Sequence, residues 1–515
     1  MENKKTIAYL NGKTWYRTLK VINALFVIFM YLVGAISCIS FLWDGQDNIA
    51  IFLKIILTIV LAFLFWVISK TPQEIFYSLW GAERTNYLYS KTILVLGILS
   101  LIILGVIVVT VVLPFGYNTK EFTITNASQA GSPQFIQTLA DLTNSPAQVG
   151  DTVIPIDSVD QFLPTLLNEI NNASVSINFT TFAWADGPFS DQVFSALIKA
   201  AERGVQVRLL LDALGSHNLS QNKITLLENA GGIVKKYHEF NILDPLQYDS
   251  RDHMRAIVFD GKIGFTGGMG ITDDWLGNTP AKTYEDMMFE FKGAMAQSIQ
   301  NTFNENWSSV TGEVLSGPAF YPPVSSPSTA TKNTFVGITS IPSEDYQPVR
   351  EAFMLTILSA QKSLYIVNPY IVPDQGLLKA LEDKARAGVD VRIISPGPIS
   401  NAPLVRAAWH KDYEPLLLSG VKIYEYQSSM IHTKFMLADG EWSLIGSANI
   451  DNRSESLNNE NVMGIDDSML ANNLHQIFTK YLSQSKEITI TDWKKQYGFL
   501  SKLYSEMLLV LFKQY

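Results

Sequence analysis

The chain carries two triplets of chemically reactive side chains at identical spacing. In each triplet a histidine is followed by a cation two residues on and by an aspartate seven residues on: His253, Arg255 and Asp260, then His432, Lys434 and Asp439. A lone histidine in an apolar stretch is usually structural, whereas two at equivalent points of a repeat indicate a shared function. Residues i and i+2 of a strand point to the same face, so each histidine is predicted to project beside its cation.

Two such triplets brought into one pocket suit a phosphodiester. The cations, with Ser447 and Asn449 of the "GSAN" that follows the second triplet, are predicted to hold the non-bridging oxygens. One imidazole can attack phosphorus to give a covalent phosphohistidine, while the other protonates the leaving alkoxide. This chemistry needs no metal ion and no cofactor.

An attacking imidazole must be held by a partner at its other ring nitrogen. Each half offers a carboxylate just ahead of an apolar, strand-like stretch. Asp286 follows His253 by 33 residues, and Glu460 follows His432 by 28 residues. We predict that each carboxylate orients the histidine of its own half; the alternative is a solvated acid at a strand entrance.

The segments that must position these residues repeat a helix, a glycine and a buried strand. "SALIKAAERGVQVRLLLDALGS" (195–216) has the same form as "KALEDKARAGVDVRIISPG" (379–397). Helix and strand alternation of this kind predicts α/β units with mostly parallel sheets flanked by helices. We therefore predict two tandem α/β lobes, at 151–330 and 331–485.

Three further regions surround the predicted lobes. Residues 117–150 are rich in Ser, Thr, Asn, Gln and Gly and are predicted to form a linker. Residues 486–515 carry apolar side chains at helical spacing with lysines nearby, which is typical of an amphipathic segment on a membrane surface or against the protein's own core.

The region 1–116 contains three apolar runs, each about long enough to cross a bilayer as a helix: 21–43, 49–69 and 92–114. Lysine and arginine are concentrated before the first run and between the second and third. This distribution predicts a cytoplasmic N-terminus and, after three crossings, a catalytic region on the extracytoplasmic face of the cell membrane.

Composition limits the classes of partner. The single cysteine, Cys38, lies in the first apolar run, so the rest of the chain has neither disulfides nor a cysteine metal site. A formal net charge of −9 argues against nucleic-acid binding through overall basicity, although it leaves room for a local cationic pocket for one phosphate.

These motifs identify a family resemblance. The motif H-x-K-x4-D occurring twice is similar to that of the phospholipase D superfamily. The second half resembles bacterial cardiolipin synthases through "IHTKFMLADG" and "IGSANIDNRSESLNNE", and the first half agrees through "RDHMRAIVFDGKIGFTGG". The resemblance covers roughly 150–515.

The resemblance implies transfer of a phosphatidyl group between two phosphatidylglycerols, giving cardiolipin and glycerol at a membrane. It also implies phospholipase D-like lobes, His253 as nucleophile, His432 as general acid and Lys434 as a phosphate ligand. Asp260 and Asp439 become supports of the motif that do not touch substrate. Oligomeric state is left open, a homo-oligomer included.

The chain departs from the family pattern in three ways. Arg255 stands where the family has lysine, which keeps the charge but changes its geometry. Gly270 occupies a position usually held by asparagine, whereas its counterpart Asn449 is present. Three apolar runs replace the expected two. The first two departures weaken the first half and leave the assignment of the nucleophile open.

Two other functions remain open from the residues alone. A phosphodiesterase acting on lipid or nucleic acid would use the same histidines with water as acceptor. A phospholipid-binding protein without activity would result if Arg255 and Gly270 had ended catalysis.

Overall fold

The computed structural model describes residues 124–498 except position 152 and the segments 240–249, 278–282, 325–332 and 344–345. In the first half the elements are α1 Pro133–Leu142, β1 Ala147–Gly150, β2 Ile154–Ile156, α2 Val159–Asn172, β3 Ser176–Thr181, α3 Pro188–Glu202, β4 Gln206–Asp212, α4 Gln221–Asn229, β5 Ile233–Tyr237, β6 Arg255–Phe259, β7 Ile263–Gly267, α5 Asp273–Leu276, β8 Tyr284–Glu285, β9 Met288–Lys292 and α6 Gly293–Thr311.

In the second half the elements are β10 Asn333–Ser340, α7 Pro348–Ser359, β11 Ser363–Val367, β12 Ile371–Val372, α8 Gln375–Arg386, β13 Asp390–Pro396, α9 Pro403–Trp409, α10 Tyr413–Ser419, β14 Lys422–Tyr426, β15 Met430–Ile431, β16 Phe435–Ala438, β17 Trp442–Gly446, β18 Ile450–Asp451, α11 Asn452–Ser456, β19 Glu460–Asp466, α12 Ser468–Ser483, β20 Ser485–Ile488 and α13 Ile490–Gln496. A short 3₁₀ turn, His410–Asp412, joins α9 to α10.

Each lobe is built on one large mixed sheet. The strand order is β2-β9-β7-β6-β3-β4-β5 in the first lobe and β1-β10-β19-β17-β16-β11-β13-β14-β20 in the second. Two α/β lobes are therefore confirmed, but the prediction of mostly parallel sheets is wrong. Within the two large sheets, parallel pairing is confined to β3-β4-β5 and β11-β13-β14, where helices connect the strands.

The antiparallel part of each sheet includes one hairpin that follows the motif histidine and turns at an Asp-Gly pair. Asp260 and Gly261 join β6 to β7 with φ of 53° and 65°, and Asp439 and Gly440 join β16 to β17 with φ of 57° and 72°. Aspartate and glycine tolerate these left-handed angles, which match the twist of a tight hairpin. The strand after each motif histidine therefore folds back on itself instead of crossing over through a helix.

The predicted linker is wrong over 133–150, which belongs to the second lobe. Ser132 caps α1 by accepting a hydrogen bond from the backbone N–H of Phe135 at 3.3 Å. The Phe135 ring then packs edge-to-face on Trp442 with centroids 4.8 Å apart. Strand β1 pairs antiparallel with β10. Polar composition misled the prediction, since a few apolar residues suffice to bury one face of a short helix.

The two lobes are joined by backbone pairing close to both motifs. Strand β8 of the first lobe pairs in parallel with β15 of the second, which ends one residue before His432. A single bridge links Asp252, the residue before His253, to Asn459. One apolar core also spans both lobes, combining Phe289 and Phe303 with residues such as Phe435.

The predicted ends of the chain are described only in part. The three predicted membrane-spanning runs lie outside the described residues, as do 499–515. Of the predicted amphipathic segment, 486–488 instead complete β20, which pairs with β14. Trp493 of α13 packs against Tyr413 with ring centroids 5.0 Å apart, so the described part lies on the protein's own core. Within the described ranges, no helix combines the length and apolarity needed to cross a bilayer.

Candidate active site

The two motif histidines lie at the junction between the lobes. His253 lies two residues before the start of β6, and His432 lies between β15 and β16. The backbone N–H of His253 donates to the carbonyl of Asn459 at 2.9 Å, and that of His432 donates to the carbonyl of Glu285 at 2.7 Å. Each histidine is thus fixed by backbone of the opposite lobe, and both side chains are buried, at 7% and 4% exposure.

The orienting carboxylates are exchanged between the lobes. His253 Nδ1 lies 2.7 Å from Glu460 Oε1, and His432 Nδ1 lies 2.7 Å from Asp286 Oδ2. The prediction that each carboxylate serves the histidine of its own half is therefore wrong. The cause is the pairing between the lobes, which sets the start of β19 beside His253 and the stretch between β8 and β9 beside His432.

Burial favours the neutral form of both imidazoles. Burial lowers the pKa of His432 to about 3, with the Lys434 charge acting in the same direction and Asp286 opposing it. Burial, followed by the Arg255 charge, also lowers the pKa of His253 well below its ordinary value. A neutral imidazole that donates its Nδ1–H to a carboxylate has its lone pair on Nε2, where it can attack or accept a proton.

The two motif cations occupy equivalent places. Lys434 Nζ donates to the carbonyl of His432 at 2.7 Å, and Arg255 Nη1 donates to the carbonyl of His253 at 2.5 Å. Burial lowers the pKa of Lys434 to about 7 against the opposing charge of Asp286. Burial disfavours the Lys434 charge in spite of Asp286, and an anionic ligand such as a phosphodiester would offset that cost.

A side chain of the opposite lobe holds the backbone of Arg255. Asn461 accepts a hydrogen bond from the Arg255 backbone N–H at 3.0 Å and donates to its carbonyl at 3.1 Å. Arg255 is 1% exposed, and among the described residues its Nε has no hydrogen-bond partner. A planar guanidinium with an unused N–H can bind phosphate through more than one donor.

Of the two "GSAN" side chains predicted to hold phosphate, one is committed elsewhere. The Ser447 hydroxyl donates to Glu460 Oε2, and the Ser447 backbone N–H donates to the carbonyl of Asn461 at 2.9 Å. Ser447 therefore holds the carboxylate that holds His253, which differs from its predicted phosphate contact. Asn449 is buried in the same loop, and its Nδ2–H₂ group is the part of the amide that could donate to a phosphate oxygen, so Asn449 remains a candidate phosphate ligand.

The two motif aspartates cap neighbouring backbone at the far end of each hairpin. Asp260 accepts hydrogen bonds from the backbone N–H groups of Ser174, Val175 and Ser176 at 2.8–3.2 Å. Asp439 does the same for residues 361–363 at 2.7–3.1 Å. Each carboxylate thus joins the motif hairpin to the start of the neighbouring strand, β3 or β11.

Alanine at Asp439 is expected to lower the free energy of unfolding by about 2–4 kcal/mol, because three backbone N–H groups lose an acceptor and alanine disfavours the left-handed angle. The rate per folded molecule should change by no more than about threefold, since the carboxylate lies at the far end of the hairpin. Denaturant unfolding and activity of the folded fraction check this, with alanine at the exposed Asp160 of α2 as the control. Unchanged stability with lost activity would instead place Asp439 in the chemistry.

Several site residues were not predicted. Asn461 joins the two lobes, and the Ser454 hydroxyl donates to Glu460 Oε1 at 2.7 Å. Three aromatic rings surround the His432 imidazole at centroid distances of 5.5–5.8 Å: Trp275, Tyr284 and Tyr370. Ser454 lies within the quoted segment "IGSANIDNRSESLNNE" (445–460), and Asn461 follows it directly. No spacing rule distinguishes either residue from the other polar residues of that segment.

The comparisons with known proteins agree with this geometry. Residues 166–307 and 354–482 match the family model described as "Cardiolipin synthase, PLD-like domain". The chain is 32% identical over 351 residues to cardiolipin synthase A of Wigglesworthia glossinidia brevipalpis, covering 66% of this chain and 70% of that protein. It is 31% identical over 353 residues to cardiolipin synthase of Staphylococcus aureus strain Mu50, covering 67% and 70%.

A solved structure shares the fold at low sequence identity. The phosphatidylserine synthase of Haemophilus influenzae Rd KW20 superposes with a TM-score of 0.57 at 14% identity, covering 73% of this chain and 97% of that one. Both motif strands and both orienting carboxylates of the present chain lie within the two matched segments. The chain therefore belongs to the cardiolipin synthase family of proteins with phospholipase D-like domains.

Proposed function

We propose that the protein is a phosphatidyltransferase that condenses two phosphatidylglycerols to cardiolipin and glycerol. The observation that carries this proposal is a pair of buried imidazoles at the junction between the lobes, each hydrogen-bonded at Nδ1 to a carboxylate of the opposite lobe 2.7 Å away. Membership of the cardiolipin synthase family favours a lipid phosphodiester as substrate over other phosphodiesters.

In the first step His253 Nε2 attacks the phosphorus of phosphatidylglycerol. A P–N bond forms, and the bond between phosphorus and the oxygen of the headgroup glycerol breaks. The departing alkoxide takes a proton from His432 and leaves as glycerol. His432 must carry that proton, and an anionic phosphodiester bound beside it favours the protonated imidazole. Its neighbour Asp286 stabilises the same form.

In the second step the terminal hydroxyl of another phosphatidylglycerol attacks the phosphohistidine. His432 Nε2 accepts the hydroxyl proton, the new P–O bond forms and the P–N bond breaks. His253 is released as a neutral imidazole, and the product is cardiolipin. Arg255, Lys434 and Asn449 are proposed to hold the non-bridging oxygens throughout, because charge on these oxygens is greatest in the transition states.

The membrane setting belongs to this proposal. Three apolar runs within 1–116 would keep the catalytic region beside its lipid substrate, with the extracytoplasmic face favoured by the distribution of lysine and arginine.

The acceptor alcohol distinguishes transfer from hydrolysis, because water in place of the second lipid would give phosphatidic acid from the same phosphohistidine.

The full-length protein, purified in detergent and mixed with phosphatidylglycerol micelles, is expected to form cardiolipin and glycerol, measured by mass spectrometry of the lipids. A His253→Ala, His432→Ala double variant should form none. Phosphatidic acid as the main product would replace transfer by hydrolysis. Absence of any product from the wild-type protein, when it is shown to be folded, would favour the non-catalytic lipid-binding alternative.

A further inference from the structure

The two lobes differ at three matched positions in the loop that follows each motif hairpin. These positions lie 15, 17 and 22 residues after the motif histidine. In the second lobe they are Ser447, Asn449 and Ser454; in the first lobe they are Gly268, Gly270 and Trp275. The missing asparagine at 270 is therefore one of three changes in the same loop.

Two of the three positions supply hydrogen bonds to the orienting carboxylate in the second lobe. Glu460 accepts from the hydroxyls of both Ser447 and Ser454. In the first lobe Trp275 stands at the position of Ser454 and its indole Nε1–H donates to Asp286 Oδ2 at 3.0 Å. The other oxygen of Asp286 accepts from the backbone N–H of Met287 at 2.8 Å. A tryptophan has thus taken over the contact that a serine makes in the other lobe.

The two glycines give the indole and the shorter carboxylate their space. A Cβ at Gly270 would lie 2.7 Å from the carbonyl oxygen of Ala183 and 3.1 Å from Trp275 Cζ3. A Cβ at Gly268 would lie 2.2 Å from Asp286 Oδ1. A side chain at either position would therefore displace Ala183 and the indole, or the carboxylate itself.

We propose that Trp275 is a positioning residue for His432, acting through Asp286, and that Gly270 is the change that makes room for it. Trp275 is 3% exposed, its indole N–H bonds the same carboxylate oxygen that faces His432, and its ring meets the imidazole edge-on at 5.6 Å. The absent asparagine is then a rearranged support of the active site and not a sign of lost activity. This inference rests on the proposed transfer reaction, in which His432 carries the proton.

Replacing Trp275 by phenylalanine keeps a buried ring and removes the N–H donor. The expected result is a kcat reduced about ten- to hundredfold with little change in KM, because a hydrogen bond to a charged group is lost while the phosphate ligands remain. Trp307→Phe is the matched control: Trp307 is equally buried and donates its indole N–H to Glu313 at 2.8 Å, away from either histidine. It should leave kcat unchanged.

Restoring the second-lobe residues tests the steric half of the proposal. Gly270→Asn alone should lower kcat at least tenfold, because the new side chain meets Ala183 and the indole. The Gly270→Asn, Trp275→Ser pair should be more active than Gly270→Asn alone, since the smaller serine vacates the space. If kcat of the double variant fell by the product of the two reductions seen in the single variants, the two positions would act independently. That result would overturn the coupling between them.

In all of these variants kcat is measured as consumption of phosphatidylglycerol, whether the acceptor is a second lipid or water. Hydrolysis in place of transfer would therefore contradict the proposed function but would leave the test of Trp275 valid. A test that does not depend on turnover is NMR spectroscopy of the protein labelled with ¹⁵N-tryptophan. The indole N–H signal that is missing from the spectrum of Trp275→Phe belongs to Trp275. This signal should change its chemical shift in Asp286→Asn, because the acceptor of its hydrogen bond has lost its charge. An unshifted signal, or a kcat in Trp275→Phe equal to that of Trp307→Phe, would overturn the positioning role.

Discussion

Alanine at His253 is expected to abolish phosphohistidine formation with every substrate, whereas alanine at His432 should spare it for a substrate whose leaving group needs no proton. Both variants should lose about 10⁴-fold or more in turnover of phosphatidylglycerol, since nucleophile and acid act as a unit. A phosphatidyl ester of p-nitrophenol separates the two steps, because p-nitrophenolate departs unprotonated. Release of p-nitrophenolate and trapped phosphoprotein are measured after rapid mixing and a quench in alkaline denaturant, in which the P–N bond is stable.

The variants also control for each other. Each removes one buried imidazole with its carboxylate contact at 2.7 Å, so losses from folding should be similar. If His432→Ala cannot release p-nitrophenolate while His253→Ala can, the roles of the two lobes are reversed. That outcome would make the second lobe, which has lysine and asparagine at the family positions, the source of the nucleophile.

The second large effect tests the exchange of carboxylates. Glu460→Gln and Asp286→Asn should each lower turnover of phosphatidylglycerol by about 10²–10⁴-fold, because an amide does not stabilise the positive imidazole formed during reaction. Glu460→Gln should also impair release from the p-nitrophenyl ester, since its partner is His253. Asp286→Asn should largely spare that release, since its partner is His432.

The same pair of variants distinguishes the observed contacts from pairing within one half. If each carboxylate served the histidine of its own half, Asp286→Asn would block release from the activated ester and Glu460→Gln would spare it. Thermal unfolding of both proteins is measured alongside, so that a general loss of structure is recognised as equal damage with both substrates.

The chemistry of the site could be predicted from sequence because it depends on local spacing. A spacing of two residues sets each histidine beside its cation, which donates to the histidine carbonyl, and the turn signal Asp-Gly follows at a fixed distance. The exchange of Asp286 and Glu460 could not be predicted in this way. It depends on β8 pairing with β15, a contact between segments about 150 residues apart in sequence, and neither short strand carries a distinctive pattern.

In two other predictions, a regular or familiar local pattern outweighed the feature that decides the structure. The sheets were predicted as mostly parallel because the helix and glycine repeats around Gly204 and Gly388 are the most regular part of the chain. The hairpins after each histidine carry their signal in a single Asp-Gly pair, which is easily outweighed. Likewise Ser447 was predicted to contact phosphate from its place in "GSAN", whereas its actual partner, Glu460, lies across a strand pair that only the folded sheet brings together.

The exchanged carboxylates make the lobes inseparable as units of activity. A chain cut between them would leave each fragment with an imidazole and a carboxylate that belong to different reaction steps. In an assembly of two identical single lobes, the same exchange would force both copies to change together. Covalent fusion removes that symmetry requirement, so one half can keep Glu460 with two serines while the other adopts Asp286 with Trp275. Fusion of the two lobes in one chain therefore allows the surroundings of Asp286 and Glu460 to differ from each other.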